Sequence, residues 1–152
     1  MKPFRFTLHA LLTLRQRQEH AALEHYARAL LDQQQARTQL DRVEQQLNRA
    51  WNELQSQLDR GCDAAVILQS RNHGAAIERR RFEAQNALDQ AVLQVQRALV
   101  DTLNARRQRE AVDTLREKQR FAHERECLRL EHKVLDEFAS RRTSPVLAWR
   151  GA

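Results

Sequence analysis

The chain of 152 residues carries 26 Lys and Arg against 20 Asp and Glu, a formal net charge of +6, with aromatic residues at 5%. Its three glycines, Gly61, Gly74 and Gly151, leave too few turns for a sheet fold, and helix formers run almost unbroken. No run of about 18 apolar residues is present to span a membrane, and the start lacks an uninterrupted apolar signal region, so a cytoplasmic, all-α protein with a long thin core is expected.

Thr7 is placed to cap a first helix that meets neither proline nor glycine until Gly61, about 54 residues or roughly 80 Å of helix. Steps of four and three from Leu8 reach Leu12, Arg15, Glu19, Ala22, Tyr26, Ala29, Gln33, Ala36, Leu40, Val43, Leu47, Ala50 and Leu54. This heptad seam predicts left-handed supercoiling against another helix. Gly61 suits a helix C′ position and Asp63 the N-cap of the next helical segment, so the turn is expected here. Asn72, His73 and Gly74 are expected to bend or end a short helical piece before a second long helix from about residue 75 to 142. The expected division of a single hairpin over 1–152 is therefore helix 7–60, turn and short helix 61–74, helix 75–142 and a loose tail 143–152.

The second helix offers a matching seam at Ile77, Ala84, Leu88, Ala91, Val95 and Ala98, then, less well, Thr102 and Ala105. Beyond Ala105 it is read as drifting through Val112 and Leu115 into the phase of Phe121. Phe121, Leu128 and Leu135 stand seven residues apart, with Leu130, Val134 and Phe138 beside them, which gives this end a strong apolar face. Glu137 and Arg141 form an i, i+4 pair, and Ser144 and Pro145 end the helix.

A turn centred near Cys62 sets Leu8 opposite about residue 116, with roughly 20 residues of the second helix projecting without a partner, and one centred near Leu68 sets it opposite about 128 and still leaves the end exposed, a surface that invites a groove or ring lumen. The alternative is self-association into a homo-oligomeric coiled-coil adaptor. Most Arg and Lys are interleaved with Asp and Glu, Arg79, Arg80 and Arg81 forming the densest run, and no aromatics alternate with them to stack bases, so nucleic acid is not the expected partner. Cys62 and Cys127 read as reduced thiols far apart along the hairpin. His123 and Cys127, at i, i+4, lack further ligands at metal-binding spacing. The glycines form no phosphate loop and no Ser or Cys is marked as a nucleophile, so neither catalysis, a cofactor nor a small-molecule substrate is expected.

The segment Arg129-Leu130-Glu131-His132-Lys133-Val134-Leu135-Asp136-Glu137-Phe138-Ala139-Ser140-Arg141 resembles the ending of the flagellar export protein FliJ family. The opening Phe4-Arg5-Phe6-Thr7-Leu8-His9-Ala10-Leu11-Leu12-Thr13-Leu14-Arg15 is similar to that family's start, and residues 105–118 resemble its Ala-Arg, basic-Glu and Leu segment.

The resemblance implies an antiparallel two-helix coiled coil, similar to the central stalk of rotary ATPases. Such a stalk inserts its joined chain ends into the hexameric ATPase of a type III export apparatus. It promotes ring assembly and hydrolysis there, binds export chaperones and touches the transmembrane export gate, so the protein would lie peripherally at the inner face of the cell membrane through its partners. On these terms the ATPase contact falls to Phe121, Leu128, Leu135, Asp136, Glu137, Phe138 and Arg141, with Leu8, Leu12 and Arg15 from the other chain end. The nearest matches to the family's gate-contact positions are Gln39, Val43, Trp51, His73 and Ile77. Trp51, beside the seam, reads either as a docking aromatic or as a cap on the coil.

Overall fold

The computed structural model describes residues 3–142, with side chains through residue 140. Two helices, α1 (His9–Arg60) and α2 (Ala64–Arg142), pack against each other as a hairpin, and no strand occurs among the described residues. The expected tail at 143–152 lies outside the described residues.

The turn between the helices is three residues long, and its chemistry is that of a Schellman motif. Gly61 has φ +75°, its N–H donates to the Leu58 carbonyl at 3.2 Å, and the Cys62 N–H donates to the Gln57 carbonyl at 3.3 Å. These bonds satisfy carbonyls that the end of α1 would otherwise leave open, in a backbone conformation that glycine adopts at little cost. The Asp63 carbonyl accepts from the N–H groups of Val66 and Ile67, which opens α2 immediately. At the other end of α1 the first helical bond runs from the Leu12 N–H to the Leu8 carbonyl, at 3.0 Å. Leu8 therefore occupies the cap position expected for Thr7.

Helix α2 also departs from expectation at Asn72, His73 and Gly74, where it continues without a break for its 79 residues. A single glycine costs a helix about 1 kcal/mol, too little to end it where the neighbouring helix supplies contacts. Gly74 is buried, and an ideal Cβ built on it would stand 3.5 Å from both Cη2 and Cζ2 of Trp51.

Contacts divide the hairpin into two bodies. The first comprises residues 17–106. Here the seam read along α1 is the buried one: Ala29, Leu40, Val43, Leu47 and Leu54 are buried, with Ala22, Tyr26, Gln33, Ala36 and Ala50 half-buried between them. Ile77, Ala98 and Thr102, with Gly74, are the residues of α2 buried in this body. Val43, Leu47 and Ile77 form a cluster on which Ala50 packs, each large aliphatic contributing about 1.5 to 3 kcal/mol by leaving water. The Thr102 hydroxyl lies 2.8 Å from the Ala98 carbonyl and 3.2 Å from the Ala22 carbonyl of the other helix. With one proton it serves one acceptor at a time. Residue numbers of paired positions add to 124 at Ala22 and Thr102 and to 125 at Glu44 and Arg81, the register of a turn at Cys62.

The second body joins the chain-end residues, up to 16, with those from 107 onward. Leu12 is its buried apolar anchor, at 2% exposure. Arg15 donates from Nη1 to Gln108 Oε1 at 2.6 Å, and the Phe4 ring sits 5.7 Å from the His123 ring at a tilt of 56°.

Candidate functional site

The chain-end body turns its helix in an unexpected direction. The half-buried residues of α2 here are Arg109, Val112, Asp113, Arg116, Gln119, His123 and Cys127, spaced by threes and fours. The seam therefore stays on its own phase and becomes polar. It does not drift into the phase of Phe121, which is exposed. Arg109 Nη1 reaches Asp113 Oδ2 at 3.4 Å and Arg116 Nη2 reaches Asp113 Oδ1 at 3.0 Å, so Asp113 is paired with an arginine on each side along the seam. Cys127 Sγ stands 3.6 Å from His123 Nδ1.

Past Cys127 every described residue is exposed. Leu130 lies seven residues beyond His123, on the phase that faces α1 lower down, yet it is 48% exposed. Leu128, Leu135 and Phe138 add an outward surface, the last two at 63% and 60% exposure, and Leu130, Val134 and Leu135 line an apolar depression with Glu131. Asp136 and Glu137 are exposed beside it. The side chain of Arg141, and with it the expected pair to Glu137, lies outside the described residues.

The residues assigned to this site from sequence are thus of two kinds. Phe121, Leu128, Leu135, Asp136, Glu137 and Phe138 are accessible, Leu8 is partly so, and Arg15 is half-buried on Gln108. Leu12 is a core residue, because it is the large aliphatic at the seam position where α1 begins to pair.

The gate-contact candidates, all in the body of residues 17–106, separate further. Val43 and Ile77 are each 4% exposed and belong to the core cluster, so neither offers a surface to a partner. Gln39 and His73 are exposed. Trp51 is 40% exposed with its ring on Gly74. Gln39 precedes the seam residue Leu40 whereas Trp51 follows the seam residue Ala50, which sets them on opposite flanks of the coil. On the flank of Gln39, seven residues further along α1, Gln46 begins an open groove of about 770 Å³. Its lining includes Arg49, Glu53 and Gln57 from α1 and Val66, Ser70, His73 and Arg80 from α2. Arg80 belongs to the basic run Arg79 to Arg81 noted from sequence, whereas Arg49 carries no motif.

Among the described residues no helix is long and apolar enough to cross a membrane, no group of His, Cys, Asp or Glu is arranged to hold a metal ion, and Cys62 and Cys127 are free thiols.

Comparison with known proteins agrees with the hairpin. A solved structure described as that of a YscO homolog, CT670, from Chlamydia trachomatis superimposes with a TM-score of 0.52 at 18% identity, covering 91% of this chain and 94% of that one. That likeness bears on the fold. No curated protein matches the chain by sequence. The family model for the flagellar FliJ protein matches residues 4–145, nearly the whole chain, and the chain therefore belongs to the FliJ family of flagellar, type III export-associated proteins.

Proposed function

We propose that this protein is a non-enzymatic stalk of the flagellar export apparatus, acting in the cytoplasm and held peripherally at the inner face of the cell membrane through its partners. It binds the hexameric export ATPase, promotes ring assembly and hydrolysis, and links the ring to export chaperones and the transmembrane export gate. The observation that carries this reading is the unpartnered end of α2. There, Leu128, Leu130, Val134, Leu135 and Phe138 present apolar surface on a helix that no other described residue covers. Leaving five large apolar side chains in water forgoes several kcal/mol that a partner would recover.

In this reading Leu128, Leu135 and Phe138 enter the ring, with Phe121 below them and Asp136, Glu137 and Arg141 supplying charged contacts. Leu8 and Arg15 contribute from the start of α1, and Leu12 acts by holding the two chain ends together. Gln39 and His73 form the gate-facing flank, Val43 and Ile77 support it from the core, and Trp51 lies on the other flank.

The test is to titrate the protein into the cognate ATPase while following phosphate release and hexamer formation, comparing wild type with Leu135→Asp/Phe138→Asp. Stimulation that the double variant loses at full helicity is expected. Absence of stimulation by wild type sinks the reading. Light scattering that finds a stable dimer or tetramer, dispersed by Leu135→Asp, would instead make the stripe a contact between copies.

A further inference from the structure

Two arginines near the turn stand where the seam chemistry does not use them. Arg49 and Arg80 line the groove on the Gln39 and His73 flank, and neither has an ion-pair partner among the described residues. Their neighbour Arg81 is different, for it reaches across to Glu44 at 3.5 Å. Glu53 is the one carboxylate in the groove lining. Its Oε1 accepts from Gln57 Nε2 at 3.3 Å, while Gln57 Oε1 accepts from the Ser70 hydroxyl at 2.7 Å, and against it the two arginines leave the lining one positive charge in excess. His73 lines the α2 wall with Arg80.

The floor has the opposite character. Val66 is 40% exposed and, with Ala50, gives the groove an apolar strip on the turn side of its arginines. From Gln46 to Gln57 the α1 wall is roughly 17 Å long, the length of a three-turn helix. A phosphate backbone would gain nothing from that strip, and no aromatic in the lining offers a base a stacking face.

We infer that this groove docks a short acidic segment of a partner protein, its carboxylates on Arg49 and Arg80 and an aliphatic side chain on Val66. The inference deepens the gate contact proposed above and rests on that reading only for the partner's identity. Charge-assisted bonds from guanidinium to carboxylate set the register, and the aliphatic contact keeps the segment seated when salt screens the charges.

The probe is a fluorescent peptide of about 14 residues, roughly 21 Å as helix, with Leu at heptad spacing and Glu elsewhere, added to the full-length protein. A matched peptide with Lys in place of Glu is the control. The expected result is salt-sensitive binding of the Glu peptide. Arg49→Glu/Arg80→Glu should weaken it at least about tenfold and Val66→Asp severalfold. The arginine variant should in turn gain binding to the Lys peptide, which also reports that it is folded. Equal binding of the two peptides by wild type, or Glu-peptide binding unchanged in the arginine variant, overturns the inference. Tighter binding of duplex oligonucleotide or anionic vesicles that depends on the same arginines overturns it as well. If the Glu peptide binds as expected but the cytoplasmic part of the export gate is not retained, the groove assignment stands and the gate assignment falls.

Discussion

The indole ring of Trp51 lies against Gly74, close enough that Cη2 and Cζ2 are 3.5 Å from the point where a Cβ would sit. That spacing is ordinary van der Waals contact, so one methyl group fits and a larger side chain does not. Gly74→Ala is therefore expected to stabilise the hairpin by about 0.5 to 1 kcal/mol, because it removes the backbone freedom of a glycine inside α2. Gly74→Leu should displace the ring and destabilise. Thermal unfolding with tryptophan emission separates the two, and a destabilised alanine variant would mean that the ring cannot yield.

The turn glycine is expected to answer in the opposite direction. Gly61 has nothing within 4 Å of an added Cβ, yet its φ is +75°. Gly61→Ala should cost about 1 kcal/mol from backbone strain alone, whereas Gly61→Asn should cost less. Urea unfolding of the three proteins is the measurement, and equal midpoints would remove the strain account.

Leu12 and Leu135 are both leucines of the chain-end body with opposite exposures, 2% and 63%. Leu12→Ala should lower stability by about 2 to 4 kcal/mol through lost burial and a cavity. Leu135→Ala should leave the melting temperature nearly unchanged while reducing ATPase stimulation. Circular dichroism melts run beside the ATPase titration test the separation, which collapses if both variants melt together.

The polar seam of the chain-end body costs stability. Arg109, Asp113 and Arg116 sit half-buried in contact with one another, and ion networks of this kind are often outperformed by aliphatic residues of similar volume. Replacing all three with Leu is expected to stabilise the body by no more than about 1 kcal/mol, because the side chains are 24% to 42% exposed. Amide hydrogen exchange over residues 107–123 should slow accordingly. Faster exchange would show that the ions hold the register.

Thr102 is the buried polar residue of the other body. Because Thr102→Val removes the hydroxyl while keeping the shape, and carbonyls in a helix retain their own N–H donors, the change should be within about 1 kcal/mol of neutral. A larger loss in thermal unfolding would assign the register to the bond with Ala22.

The structure chose the register centred at Cys62 over one centred near Leu68, whereas the sequence by itself determined the helical class, the four-three seam from Leu12 to Leu54 and the turn chemistry at Gly61. These depend on local propensity and on a period that repeats along one chain, and both are written residue by residue. Only the tertiary structure decided that α2 runs through Gly74, since the contact with Trp51 outweighs a local cost of about 1 kcal/mol. It also decided which face of α2 meets α1 beyond Ala105. The strongest apolar stripe, Phe121 to Leu135, suggested one phase, but within the chain-end body a polar row faces the start of α1 and the stripe lies in solvent. Leu12, Val43 and Ile77, read from sequence both as seam positions and as partner contacts, are core residues. The groove between Arg49 and Arg80 belongs to neither helix alone: it exists because two walls distant in sequence are brought side by side, a relation no periodicity along one helix contains.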